Sequence, residues 1–103
     1  MPRFSANLSF LYAEHDFLGR FAAARADGFA AVEFHFPYAC DKMALAEAVR
    51  RQDLSVELFN LPAGDWIAGD RGIACHPLRI QEFQDGVGLA IEYAQLLGCP
   101  RVN

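Results

Sequence analysis

The sequence predicts an α/β fold of parallel (β/α) units: an incomplete TIM barrel, with three βα units and the start of strand four. Three observations lead there. Apolar runs of period two alternate with runs of helical period in the order β-α-β-α-β-loop-α-β. Such alternation with short connections yields parallel strands joined by right-handed crossovers. Strand starts recur near Phe4, Ala30 and Leu54, a spacing of about 25 residues that is close to the ~30 per unit of a ~250-residue barrel. Finally, the first strand places small polar side chains on its alternate face, which suits a barrel interior better than a sheet with helices on both sides. An open doubly wound sheet is the competing architecture. Residues 1–103 thus read as the N-terminal part of a single (β/α)8-barrel domain.

From Phe4 the first strand alternates Phe4, Ala6, Leu8 and Phe10 against Ser5, Asn7 and Ser9. Asp16 to Gly28 follows with Phe17, Leu18, Phe21, Ala24 and Arg25 at helical spacing, and Gly28 suits the left-handed residue that ends a helix. Ala30–Phe36 is a second strand, stopped by Pro37. Asp41 is a fair N-cap for a helix through Arg51 with Leu45, Ala48 and Val49 inward. Leu54–Leu61 is a third strand, closed by Pro62. Ala63 to His76 has no period and three glycines, a long loop. Pro77 reads as a first helical residue, and Ile80, Phe83, Val87, Ile91, Ala94 and Leu97 keep one stripe until Gly98 and Pro100. Arg101-Val102-Asn103 begins another strand.

Composition narrows the class. Hydrophobic residues make up 53% and charged ones 21%, a globular balance. Nine phenylalanines are a large apolar load for 103 residues, so some of that surface is expected to meet a partner or further chain. The net charge of −4, with no basic cluster beyond Arg50-Arg51, argues against nucleic acid and anionic membrane. No apolar stretch approaches the roughly 18 residues of a membrane span. Cys40, Cys75 and Cys99 are odd in number and form no zinc spacing. Reduced thiols in a cytoplasmic protein are the expectation.

The candidate chemistry lies near the C-terminal ends of the strands, where barrels build their active sites. Asn7 ends the first strand with an amide able to donate to and accept from a sugar hydroxyl or keto oxygen, or to fill the barrel as a bonded polar group. Glu33 and His35 share a parity at the end of the second strand, a partial acid/base or metal pair, or an ion-paired Glu beside a half-exposed His. Glu57, mid-strand, needs a cationic partner or a place near a barrel end. Asn60 sits where the third strand meets its loop. Trp66 offers an apolar wall and Arg71 a guanidinium for a carboxylate or phosphate; a packed Trp and a solvent-facing Arg are the bland alternatives. His76 reads as a cap or surface residue. No phosphate loop, nucleophile elbow or catalytic Cys/His pair is present.

Arg3-Phe-Ser-Ala-Asn-Leu-Ser-Phe-Leu-Tyr12, Gly28-Phe-Ala-Ala-Val-Glu-Phe-His-Phe-Pro-Tyr38 and Leu58-Phe-Asn-Leu-Pro-Ala-Gly-Asp-Trp-Ile-Ala-Gly-Asp-Arg-Gly72 resemble the hydroxypyruvate isomerase family of xylose-isomerase-like barrels. The likeness continues through Glu92-Tyr-Ala-Gln-Leu-Leu-Gly-Cys99. It implies interconversion of hydroxypyruvate and tartronate semialdehyde by proton transfer through an enediol, or the related isomerisation of 2-oxo-tetronate. A divalent metal, Mg or Mn, is implied for the complete enzyme. The family's catalytic glutamates and metal ligands come from later strands, so no catalytic or metal residue is assigned among these 103. Asn7, Glu33, Asn60, Trp66 and Arg71 are the expected substrate-binding wall, and a small 2-keto acid or sugar-like molecule the expected partner. The competing expectations are a sugar epimerase or endonuclease-type phosphoesterase of the same superfamily, the latter disfavoured by the acidic balance. A non-catalytic half-barrel that self-associates through its open strand edges is a further alternative.

Overall fold

A computed structural model describes residues 1–103 and contains three parallel strands and three helices. In chain order these are β1 (Ser5–Asn7), α1 (Gly19–Ala26), β2 (Ala31–Glu33), α2 (Lys42–Arg51), β3 (Ser55–Leu58) and α3 (Ile80–Leu97). The sheet order is β1-β2-β3, with Ala6 beside Val32 and Val32 beside Val56. A fourth strand has begun: Phe59 bridges Val102 in parallel, the Leu61 N–H donates to the Asn103 carbonyl at 2.7 Å, and the Asn103 N–H to that of Phe59 at 2.9 Å. Three βα units and a strand start are therefore present, as the alternation predicts.

All three helices cover the same face of the sheet. One apolar cluster joins Phe21 and Ala24 of α1, Leu45 and Val49 of α2, and Ala90 and Tyr93 of α3 to Ala6, Leu8, Val32, Phe34, Val56 and Phe59. A doubly wound sheet would carry helices on both faces, so this packing decides for barrel-type units. The opposite face holds Ser5, Asn7, Ala31 and Glu33, all half-exposed. Phe34 stacks on Phe59 with centroids 6.0 Å apart, and Phe17 meets both Phe21 and Phe34 edge-on.

β3 breaks the simple alternation. Glu33 pairs with Leu58, two positions on from the Val32–Val56 pair, so Glu57 is an extra residue in a bulge. The bulge resets parity, and both Val56 and Phe59 reach the core although three positions separate them.

Several boundaries differ from expectation. β1 stops at Asn7, because the Asn7 side-chain oxygen accepts from the Ser9 N–H at 3.0 Å and its carbonyl accepts from Phe10 and Leu11. Phe10 therefore leaves the inner face and is 70% exposed, and Phe4, which precedes the strand, is 71% exposed. α1 starts at Gly19, three residues late, since the Asp16 carboxylate holds the Gly19 N–H in a turn; Arg25 is exposed, not inward. β2 ends at Glu33 and not Phe36. α3 begins at Ile80, after Pro77. Its buried positions are Ala90 and Tyr93, whereas Ile80 and Ile91 are exposed. The Tyr93 hydroxyl donates to the Cys40 carbonyl at 2.7 Å, and a Cβ on Gly86 would meet the Pro62 ring at 3.4 Å. These two contacts fix which side of an apolar helix turns inward. Asp41 caps α2 as expected, its carboxylate accepting from Ala44 N–H at 2.9 Å. No helix is long and apolar enough to cross a membrane.

Candidate active site

Beyond β3 the chain runs without regular structure from Phe59 to Arg79, and this segment shapes the mouth above the C-terminal strand ends. A cleft of about 370 Å³ lies there, lined by His35 and Phe36 after β2, by Asn60, Trp66, Arg71 and Ile73 of the loop, and by Phe83 of α3 and Asn103. A larger open groove of about 560 Å³ lies at the opposite end against Arg3, Asp27 and Glu57. Parallel barrels place chemistry at the C-terminal ends of their strands, so the smaller cleft is the candidate.

Each wall of the mouth has a local cause. Asn60 is held through its backbone: its N–H donates to the His35 carbonyl at 2.8 Å, and its own carbonyl accepts the Tyr38 hydroxyl. Its side-chain oxygen accepts from the Asn103 amide at 3.2 Å. Asn60 Nδ2 makes no bond to the protein and remains a donor for a ligand. Burial, first, and the neighbouring Tyr93 push the Tyr38 phenol well above its usual range, so it stays a donor. The His35 N–H donates to Ser9 Oγ at 2.9 Å, and the imidazole packs edge-on to Phe10 with centroids 5.0 Å apart.

Trp66 tilts against Phe36 at 5.1 Å between centroids, and the Arg71 guanidinium carbon lies 3.7 Å above its ring. Arg71 Nη1 donates to the carbonyls of Trp66 and Asp70 at 2.9 and 2.7 Å, leaving Nη2 and Nε unbonded. The mouth therefore presents an aromatic wall, a fixed guanidinium edge, one free amide and an imidazole. That set can seat a small anionic, oxygen-rich molecule.

The five expected wall residues fall into two groups. Asn60, Trp66 and Arg71 line the mouth together. Asn7 and Glu33 do not; they lie on the open sheet face, with Asn7 Nδ2 donating to Glu33 Oε1 at 3.4 Å. Glu57 sits at the other end and has found its cation: Arg101 Nη1 is 3.0 Å away and Ser55 Oγ donates at 2.9 Å. The Ser55 hydrogen bond, with Arg101 next, holds the Glu57 carboxyl below the usual range. His76 is an exposed turn residue before α3, as expected. Sequence reasoning missed Phe36 as the partner of Trp66, and it missed the loop's internal clamp. Asp70 Oδ2 accepts from the Asp65 N–H at 2.7 Å and from Arg79 Nη2 at 2.8 Å. Two acidic residues five apart around glycines, with an arginine just before a helix, were the available signal. No three His, Cys, Asp or Glu side chains gather anywhere. All three cysteines are unpaired.

The resemblance to the hydroxypyruvate isomerase family is borne out by comparison. Hydroxypyruvate isomerase of Escherichia coli K12 is 54% identical over the whole chain. The 2-oxo-tetronate isomerase of Cupriavidus necator is 50% identical, again over all 103 residues. The chain spans 40% of the length of each of these relatives. A crystal structure described as AP endonuclease, family 2, from Brucella melitensis superposes with a TM-score of 0.97 at 47% identity, covering 99% of this chain and 40% of that one. No family model matches.

Proposed function

We propose that this chain forms the substrate-holding wall of a hydroxypyruvate-isomerase-like enzyme, an aldose–ketose isomerase moving a proton between adjacent carbons of a small 2-keto acid through an enediol. The observation that carries the reading is the mouth itself, which brings Trp66, Arg71 and Asn60 to one cleft in a chain 54% identical throughout to a hydroxypyruvate isomerase. The free N–H edge of Arg71 takes the substrate carboxylate, Asn60 Nδ2 donates to the keto or hydroxyl oxygen, and Trp66 with Phe36 covers the carbon chain. Holding carboxylate and keto oxygen in plane favours loss of the neighbouring C–H proton, because the enediolate is then conjugated. Asn7 and Glu33 complete the wall further down the open face. A divalent ion, Mg²⁺ or Mn²⁺, would polarise the carbonyl, but it needs ligands beyond those gathered in these 103 residues. The general base and acid are likewise to be sought outside them.

The measurement is direct. The chain is titrated with hydroxypyruvate while Trp66 emission is followed, and isomerisation is assayed with added Mg²⁺ or Mn²⁺. Saturable binding without turnover is the expected result. Absence of binding would sink the wall, and robust turnover would sink the claim that the catalytic groups lie elsewhere.

A 2-oxo-tetronate substrate is the second reading, favoured by the 50% identical relative of that name. Affinity for the four-carbon acid above that for hydroxypyruvate would select it. Nucleic acid forms no part of the proposal, since the chain carries a net charge of −4. The unpaired cysteines suit a cytoplasmic enzyme. The outer edge of β1 is unpaired and the fourth strand is held by a single bridge, so we also propose self-association through strand edges. Light scattering reads it out as a cooperative dimer.

A further inference from the structure

We infer that Asp70 and Arg79 are positioning residues of the mouth: their ion pair fixes the loop that carries the Trp66–Arg71 stack, and so sets how tightly a 2-keto acid is held. The affinity half of this inference rests on the function proposed above; the loop-fixing half does not.

The loop closes on itself. The Gly72 N–H donates to the Ala63 carbonyl at 2.9 Å, the Asp70 N–H to the Asp65 carbonyl at 2.9 Å, and the Ala68 N–H to Asp65 Oδ1 at 3.1 Å. The Asp70 carboxylate then turns back into the ring of backbone it belongs to. It fits because residue 64 is glycine with φ +87°; a Cβ there would fall 2.9 Å from Asp70 Cβ and Cγ. The same carboxylate reaches Arg79, whose fork also holds Glu82 at 2.6 and 3.0 Å. Arg79 immediately precedes α3, and α3 is anchored in the core by Ala90 and Tyr93. The pair therefore fastens an exposed loop to a fixed helix.

What the clamp places is the adjacent residue. Arg71 borrows the Asp70 and Trp66 carbonyls as acceptors, so its guanidinium height above the indole follows the backbone at Asp70. Apart from the loop's own hydrogen bonds and the Trp66–Phe36 contact, this stretch has few ties to the core. Ile73 is its buried anchor at 4% exposure, whereas Trp66 is 46% and Ile67 99% exposed. Loss of the pair should loosen the stack without opening the core.

Trp66 is the only tryptophan, which makes its emission a report on this loop alone. Asp70→Asn keeps an acceptor for the Asp65 N–H and removes the charge that Arg79 meets; Arg79→Leu removes the fork. Glu82→Gln removes the charge of the other partner of Arg79 and spares Asp70. Acrylamide quenching of Trp66, hydroxypyruvate affinity and the urea midpoint are read on all three. For Asp70→Asn and Arg79→Leu we expect roughly twofold greater quenching and about tenfold weaker hydroxypyruvate binding, with an unchanged midpoint. Glu82→Gln should match the parent, and Arg79→Lys should restore part of the loss. Unchanged quenching in both clamp variants overturns the inference, as does an equal effect from Glu82→Gln. Increased quenching in a chain whose parent form binds no hydroxypyruvate upholds the clamp and overturns only the substrate reading.

Discussion

On the helix side of the sheet Phe21, Leu45, Val32, Val56 and Phe59 are sealed from solvent, while on the other side Ser5, Asn7 and Glu33 stay half-exposed, Asn7 bonding Glu33 and the Ser9 N–H while the Ser5 hydroxyl has no partner. The same three short strands supply both faces. The difference lies in what covers them. Interlocked aromatic rings close the first, and nothing within these residues closes the second. Apolar packing is therefore concentrated on one face and polar side chains on the other.

The largest expected effect comes from attacking the covered face. Phe59 stacks on Phe34 and touches Tyr38, so Phe59→Ala should cost about 3–5 kcal/mol, measured as a loss of urea-unfolding midpoint. A loss below about 1 kcal/mol would mean that the two faces do not differ as described. Deleting Glu57 is a sharper probe. It removes the bulge and leaves Val56 and Phe59 two positions apart, both on the covered face, so a cost well below that of Phe59→Ala is expected. A cost matching Phe59→Ala would show that the bulge itself, and not the parity of the apolar residues, holds β3 in register.

That bulge also marks where sequence reading stops. The alternation of strands and helices, the Asp41 cap and the core residues Leu45 and Val49 were legible because each has a periodic or chemical signature within a few residues. The parity change at Glu57 was not, since Leu54-Ser-Val-Glu-Leu-Phe-Asn-Leu reads equally well as a plain strand. Phe10 misled for a related reason: alternation cannot see that Asn7 ends the strand by bonding Ser9. In the mouth, Asn60, Trp66 and Arg71 were found from their place in the third loop. Their separation from Asn7 and Glu33 depends on strand lengths and loop closure that no local pattern encodes.

A smaller effect is expected at the boundary between the faces, where Tyr38 packs against Phe59 and donates its hydroxyl to the Asn60 carbonyl. Tyr38→Phe removes that bond while leaving the ring, for a cost of about 1 kcal/mol. Its pH signature is specific. Burial raises the Tyr38 phenol above the ordinary value of about 10, so the folded chain keeps a proton that the unfolded chain releases. This contribution is complete below the unfolded value and is lost as pH rises through the folded one. The unfolding free energy should fall as pH rises above about 10, and less steeply in Tyr38→Phe. Tyr93, also raised by burial, accounts for the slope that remains. Equal slopes would remove Tyr38 from the account.

The smallest effect should come from the open face, at the end away from the mouth. Glu57 is held below the usual carboxyl range by Ser55 and then Arg101, so its contribution is present above the unfolded value and is lost as pH falls through the folded one. Its partner Arg101 is 64% exposed, and solvent screening leaves such pairs with little net worth. Glu57→Gln keeps the bulge and loses only the charge, and should shift stability by no more than about 0.5 kcal/mol, less still in high salt. Set beside deletion of the same residue, this isolates backbone register from charge at one position. If Glu57→Gln proved as damaging as the deletion, the ion pair and not the bulge would be holding β3 in place.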